Sequence, residues 1–165
     1  MFFVLRFEVM AFETVGRLME ILLVEDSVMF ARLAIGALNK GGVQHHLTWL
    51  TDGADAWQFL QRTGVYVNAP RPDLLLLDLK LPGIDGTELL SRVRHNNAIS
   101  TLPVIVMTGE TDSFLCHDLP VEAFLTKPLE YEQFCKIVVQ LSGFWKADMM
   151  IPLNTSLVPK SEEER

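Results

Sequence analysis

Short apolar runs alternate along the chain with segments in which apolar residues recur every three or four positions. Apolar runs bounded by turn residues are typical of buried strands, and the three-and-four spacing is typical of one apolar face of a helix. The pattern predicts strands at residues 20–24, 46–50, 73–77, 103–107 and 121–125. It predicts helices at residues 28–39, 54–63, 87–95, 112–118 and 131–144. Strand and helix therefore alternate five times between residues 20 and 144.

This alternation predicts an α/β fold, a doubly wound parallel sheet of five strands with helices on both faces. Strands of such a sheet are buried on both sides and are apolar throughout, which explains the unbroken run "LLLL" before Asp78. The pairs Asp52–Gly53 and Pro82–Gly83 mark turns, and Gly41–Gly42 is typical of a helix C-terminus.

Polar residues stand at the carboxyl ends of four predicted strands. The first strand is followed by Glu25 and Asp26, the third by Asp78 and the fourth by Thr108, and the fifth is followed closely by Lys127. In a parallel sheet these ends share one edge, and ligands bind there at the point where the strand order reverses. A strand order of 2-1-3-4-5 places that point between strands one and three, which brings the three carboxylates together.

Clustered carboxylates repel one another and are expensive to remove from water, so the cluster predicts a bound cation. Mg²⁺ favours carboxylate, carbonyl and water oxygens. With Lys127 and Thr108 nearby, the cleft suits a phosphoryl group that Asp78 would accept as nucleophile. Each piece also has a plainer interpretation, because an Asp after a strand is often a turn residue and Asp26 or Ser27 could cap the next helix.

The combination resembles the receiver domain of two-component response regulators, which has a flavodoxin-like fold. The matching segments are "VEDS" (24–27), "LLDLKLPGIDG" (76–86), "MTG" (107–109) and "AFLTKP" (123–128), and the resemblance covers about residues 20–144. The insertion "RTGVYVNAPRP" and the Phe144–Trp145 pair look similar to the single-domain regulators that partner bacterial phytochromes and related sensor kinases.

The resemblance implies a role for each residue of the site. Asp78 would be phosphorylated by a sensor histidine kinase, and Lys127 and Thr108 would hold the phosphoryl oxygens. The implied Mg²⁺ ligands are Asp26, Asp78, Glu25 through water, and the backbone carbonyl of Lys80. The switch would couple Thr108 to the aromatic residue Phe124, and the Lys127–Pro128 peptide would be cis.

Composition narrows the functional class. The 165 residues carry a net charge of −7, which argues against a nucleic-acid surface. Cys116 and Cys135 have no zinc or disulfide spacing, as expected in a reducing compartment, and the histidines show no ligand spacing. No apolar run is long enough to span a membrane. We therefore expect a cytoplasmic protein, and the resemblance to two-component regulators implies a bacterial one.

The domain is expected to span residues 20–145, with an extension at each end. Residues 1–19 either include an extra edge strand or precede a true start at Met19. Residues 146–165 form a tail, apolar and then polar and disordered. The apolar part, together with helix four, strand five and helix five, predicts a homodimer.

Three other interpretations compete with a phosphorylated regulator. A P-loop ATPase would need a glycine-rich loop that is missing from the sequence, and a haloacid dehalogenase-type phosphatase would need an Asp where Lys80 stands. A receiver fold used only as an unphosphorylated interaction module remains open, although the presence of every key residue argues against it. On these grounds we expect a signalling protein and not an enzyme.

Overall fold

The computed structural model describes residues 16–40, 44–109, 118–127, 130, 132–133 and 136–137. Its regular elements are β1 (Met19–Val24), α1 (Val28–Lys40), β2 (His45–Leu50), α2 (Gly53–Gln61), β3 (Leu74–Asp78), α3 (Gly86–Arg94), β4 (Val104–Thr108) and β5 (Ala123–Thr126), with one 3₁₀ turn at Gly64–Tyr66. Within these ranges no helix is both long and apolar enough to cross a bilayer.

Several predicted features lie outside the described residues. They are the possible strand before residue 16, the Gly41–Gly42 helix end, the helix at 112–118 apart from Asp118, the Lys127–Pro128 peptide and the tail after residue 145. Of the predicted helix at 131–144, residues 132–133 and 136–137 are described and are helical.

The five strands form one parallel sheet in the order β2-β1-β3-β4-β5, which confirms the predicted order. The strand bounds differ from the prediction by one or two residues. β3 and β4 each begin and end one residue later than predicted, because Asp78 pairs with Met107 and Thr108 with Thr126. Asp78 and Thr108 are therefore the last residues of their strands, which fixes their backbones in the sheet.

Each face of the sheet has its own hydrophobic core. Alternate strand residues point to opposite faces, so Ile21 and Leu23 pack on the α1 side, whereas Leu22 and Val24 pack on the α2–α3 side. The leucines of β3 divide in the same way between the two cores. Both faces are covered, as the leucine run predicted.

Polar caps and one tight glycine set the position of α2 and α3. Asp52 caps α2, and Asp85 caps α3 by accepting hydrogen bonds from the Glu88 N–H at 2.8 Å and the Thr87 hydroxyl at 2.5 Å. A Cβ on Gly86 would lie 2.1 Å from the backbone oxygen of Asp78. Only glycine lets the start of α3 approach the end of β3 so closely.

The segment before β1 is tied to the amino edge of the sheet by an ion pair. The Arg17 guanidinium makes two contacts with Asp73, at 2.5 and 2.8 Å. The Asp73 side chain is only 2% exposed and also accepts the Glu20 N–H at 3.0 Å. Residues just before Met19 therefore contribute to the folded domain that the structure describes.

A second arginine, Arg94, has a side chain that is only 7% exposed and stabilises the amino ends of β4 and β5. The Arg94 guanidinium donates to the Pro120 and Leu102 carbonyls at 2.6 and 2.7 Å and pairs with Glu122, whose carboxylate also accepts the Val104 N–H. Burial lowers the pKa of Arg94, although the Glu122 charge opposes the shift. These contacts join the end of α3 to the amino ends of β4 and β5. The opposite ends of the same two strands hold Thr108 and Lys127 at the carboxyl edge of the sheet.

Candidate functional site

The polar residues predicted from the strand ends lie at the carboxyl edge of the sheet. Glu25 and Asp26 follow β1, Asp78 and Thr108 end β3 and β4, and Lys127 follows β5. The Lys127 N–H donates to the Thr108 carbonyl at 2.9 Å, which extends the β4–β5 pairing to the lysine. The structure thus brings residues from four strands to one edge.

Three carboxylates form a compact cluster at this edge. Glu25, Asp26 and Asp78 each offer one oxygen, and these oxygens all lie within 4.8 Å of one another. Glu25 and Asp78 are buried, whereas Asp26 is exposed. The capping position of α1 is taken by Ser27, whose hydroxyl lies 3.5 Å from the Phe30 N–H. Asp26 is therefore not needed as the cap.

Lys127 supplies the positive charge of the cluster. Its Nζ lies 2.7 Å from Asp78 Oδ2 and 2.6 Å from Glu25 Oε2. The other Asp78 oxygen, Oδ1, accepts the Lys80 N–H at 3.1 Å. Asp78 is thus held on both oxygens, with its charge compensated by the ammonium group.

Glu25 is held more tightly than the sequence indicated. Its side chain is fully buried, its Oε1 accepts the Ser27 N–H at 3.0 Å, and the Trp49 indole donates to its backbone carbonyl at 2.8 Å. Burial raises the pKa of the Glu25 carboxyl and the Asp78 charge raises it further, while the Lys127 ammonium lowers it in part. Glu25 contacts Lys127 directly, and its predicted role in reaching a metal through water stays a prediction.

Thr108 ends β4 at the same edge as the cluster, and no hydrogen bond found among the described residues joins its hydroxyl to Asp78. The Thr108 hydroxyl donates to the Gly109 carbonyl at 2.9 Å. Phe124, on the neighbouring strand, is 40% exposed. Lys80, two residues after Asp78, makes its backbone contact through N–H, and the role predicted for its carbonyl stays a prediction.

The residues present fit a hard divalent cation. Glu25 Oε2 is buried and, within the described part of the chain, has the Lys127 ion pair but no hydrogen bond of acceptable geometry. A buried carboxylate oxygen that has an ion pair but no hydrogen bond, and that lies next to two further carboxylates, favours a cation bound by oxygen ligands. The exposed Asp26 leaves the cluster open to solvent on one side.

Three residues of the site were missed by sequence reasoning. The Lys127 Nζ lies 4.6 Å from the centre of the Phe30 ring, the Trp49 indole supports Glu25, and Gly86 allows α3 to approach Asp78. The glycine after a helix cap was a visible signal. The positions of the two aromatic side chains depend on how α1 and β2 pack.

The family model for the response regulator receiver domain matches residues 21–139. The response regulator Rcp1 of Synechocystis sp. is 39% identical over 135 residues, covering 80% of this chain and 92% of Rcp1. A crystal structure of its Mn²⁺-bound form has a TM-score of 0.65 and covers 81% of this chain and 99% of that one.

Two further solved structures are similar. The phosphorylated cyanobacterial phytochrome response regulator RcpA is 36% identical with a TM-score of 0.66, covering 78% of this chain and 94% of its own. The bacteriophytochrome response regulator RtBRR is 33% identical with a TM-score of 0.72, and the match covers 82% of this chain and 84% of RtBRR. With the family model matching most of its length, this chain belongs to the response regulator receiver domain family and is a response regulator related to Rcp1.

Proposed function

We propose that Asp78 accepts a phosphoryl group from a sensor histidine kinase and that the product switches a protein–protein interaction surface. The observation that carries this proposal is the buried Asp78 carboxylate, 2.7 Å from the Lys127 ammonium and within one compact cluster with Glu25 and Asp26. A carboxylate nucleophile beside a fixed cation is suited to phosphoryl transfer.

In the proposed reaction an Asp78 oxygen attacks the phosphorus of a phosphohistidine. The O–P bond of an aspartyl phosphate forms as the N–P bond breaks, and the electron pair of that bond remains on the imidazole nitrogen. The Lys127 ammonium, already against Asp78 Oδ2, lies where it can contact a phosphoryl oxygen without a large movement. The Lys80 N–H on Oδ1 orients the carboxylate.

The metal is proposed to be Mg²⁺, held by Asp26, Asp78, the Lys80 carbonyl and, through water, Glu25. When bound, it would neutralise charge on the phosphoryl oxygens. The hard oxygen ligands of the cluster support Mg²⁺, and the Mn²⁺-bound form of Rcp1 is an example of a divalent ion in a related protein.

Thr108 is proposed to detect the new charge. Its hydroxyl now donates to a neutral carbonyl, and a charged phosphoryl oxygen is a stronger acceptor. To move the ratio of active to inactive conformation from 1:99 to 99:1, phosphorylation must favour the active conformation by about 5.5 kcal/mol. A charge-assisted hydrogen bond contributes about 1.5–3 kcal/mol, so the contacts of Lys127 and Thr108 are both required. The exposed Phe124 would then move toward the space that Thr108 leaves.

Labelling by ³²P-acetyl phosphate in the presence of Mg²⁺ tests the phosphoacceptor. Asp78→Asn should abolish labelling, and EDTA should abolish it in the unchanged protein. Asp55→Asn is the matched control, because Asp55 is an exposed aspartate in the first turn of α2 and should label normally. Undiminished labelling of Asp78→Asn would refute the proposal and leave the unphosphorylated interaction module as the better explanation.

The proposed partners are a phytochrome-like sensor histidine kinase and a second copy of this chain, in the cytoplasm. The dimer would use helix four, β5, helix five and the apolar part of the tail. β5 is an edge strand of the sheet and carries the exposed Phe124, which supports a contact there. Light scattering should give a dimer mass for the full chain and a monomer mass for a chain ending at Ser142, whereas two equal monomer masses would exclude dimerisation through the tail.

A further inference from the structure

An aromatic ring lies against the ammonium group of the site lysine. Phe30, in the first turn of α1, has its ring centre 4.6 Å from Lys127 Nζ. A cation within about 6 Å of an aromatic ring centre is attracted by the negative face of the ring. The Lys127 side chain is only 11% exposed, so solvent weakens this attraction less than it would at the surface.

Within the described part of the chain, Phe30 is not a member of the hydrophobic core. The buried residues of α1 are Ala31, Ala34, Ala37 and Leu38, and Phe30 belongs to neither core cluster of the described residues. Its neighbours Val28 and Met29 are more than half exposed. The first turn of α1 therefore extends beyond the core, and the Phe30 ring has the site lysine as a specific partner.

One of the other two partners of Lys127, Asp78, changes charge in the proposed reaction, and the ring does not. Nζ is held by Asp78 and Glu25, at 2.7 and 2.6 Å. Phosphorylation converts the Asp78 carboxylate into an acyl phosphate, and a bound cation competes with the ammonium for both carboxylates. A lysine has a long flexible side chain that loses order when its charged partners are withdrawn.

We propose that Phe30 is a positioning residue, whose ring holds the Lys127 ammonium at the phosphoryl site by a cation–π contact before and after Asp78 is modified. The contact itself can be measured without phosphorylating Asp78. Its consequence for phosphorylation rests on the function proposed above. The two are tested by separate measurements.

The first measurement is the NMR chemical shift of the Lys127 ε-methylene protons in metal-free protein. A ring face next to these protons shifts them upfield of the other lysines. Phe30→Leu should remove the shift, and Phe30→Tyr should retain it. Lys127→Arg assigns the resonance. An unshifted Lys127 signal in the unchanged protein, or an equal shift in Phe30→Leu, overturns the contact without involving phosphorylation.

The second measurement is the initial rate of labelling by acetyl phosphate. Phe30→Leu should slow labelling roughly fivefold, the loss expected for a partly desolvated cation–π contact, and Phe30→Tyr should stay within about twofold of the unchanged protein. Phenylalanines at position 30 with one, two and three ring fluorines keep the size of the ring and weaken its negative face. The logarithm of the rate should therefore fall steadily with fluorine number.

The outcomes separate the two proposals. If Phe30→Leu lowers the labelling rate but fluorination of the ring leaves it unchanged, Phe30 has a packing role and the cation–π contact is refuted. Equal rates for Phe30→Leu and the unchanged protein, with Asp78→Asn inactive, refute the positioning role and leave the proposed function intact. An unchanged protein that does not label refutes the proposed function, and the NMR shift alone then decides whether Phe30 holds Lys127.

Discussion

Replacing Arg17 by glutamine should destabilise the domain although Arg17 lies before the first strand and far from the site. Its guanidinium makes the two contacts with Asp73 at 2.5 and 2.8 Å, and the Asp73 side chain is 2% exposed. Arg17→Gln removes this cation from beside the buried Asp73 carboxylate. The side chain of glutamine can replace at most one of the two hydrogen bonds.

The size of the effect follows from the burial of the two partners. Breaking a fully buried ion pair by removing one partner costs about 3–5 kcal/mol. The Arg17 side chain is 37% exposed, so water can reach Asp73 once the guanidinium is gone, and the Glu20 N–H still donates to the carboxylate. We therefore expect a loss of about 2 kcal/mol in the free energy of unfolding. For a domain of this size that corresponds to about 4–8 °C in Tm.

Urea denaturation followed by circular dichroism measures this loss. A double-mutant cycle with Asp73→Asn isolates the pair, because Arg17→Gln should have little further effect once the charge of Asp73 is removed. Arg17→Lys is the matched control, because lysine keeps the positive charge but cannot make the bidentate contact with Asp73. This variant should be destabilised by about 1 kcal/mol. A chain that starts at Met19 lacks Arg17 and should resemble Arg17→Gln.

An Arg17→Gln variant with the stability of the unchanged protein would refute this reasoning. So would a cycle in which Arg17→Gln destabilises the Asp73→Asn variant as much as it destabilises the unchanged protein, because the guanidinium would then act through some other contact. A chain starting at Met19 with full stability would support the alternative that residues 1–18 are dispensable for the fold.

Three further predictions concern stability, each measured by urea denaturation. Gly86→Ala should be strongly destabilised, since a Cβ would lie 2.1 Å from the Asp78 backbone oxygen. Gly36→Ala should gain about 0.5–1 kcal/mol, because a Cβ there would meet no atom within 4 Å apart from its chain neighbours and the backbone of its own helix. Equal denaturation midpoints for the two variants would contradict this contrast. Asp85→Asn should be less stable than the unchanged protein at neutral pH, because a hydroxyl and a backbone N–H of α3 lower the pKa of Asp85. That stabilisation is present above the ordinary aspartate pKa of 3.8 and is lost as the pH falls through the lower pKa that Asp85 has in the folded protein. If the difference in unfolding free energy between the unchanged protein and Asp85→Asn did not change with pH, this explanation would be wrong. Arg94→Leu should lose about 2–4 kcal/mol, because it removes the cation beside the largely buried Glu122 carboxylate and the donor to the partly buried Leu102 carbonyl. A loss below about 0.5 kcal/mol would show that water or another group replaces these contacts.

Much of the site could be predicted because a parallel sheet places all carboxyl ends of its strands on one edge. Asp78 and Thr108 were identified from their places after apolar runs, and the structure brings both to that edge. The contacts of these residues could not be predicted. The hydroxyl of Thr108 is directed to Gly109, and Glu25 contacts Lys127 directly, because these choices depend on side-chain rotamers within the packed site.

The sequence by itself determined which segments are strands and helices and which residues follow each strand. These are local properties, since strand and helix periodicities and turn residues act over a few positions. Only the tertiary structure decided that the ring of Phe30 meets Lys127 and that Arg17 neutralises Asp73. Each of these contacts joins residues more than fifty positions apart, and their geometry depends on how α1 and the segment before β1 pack against the finished sheet.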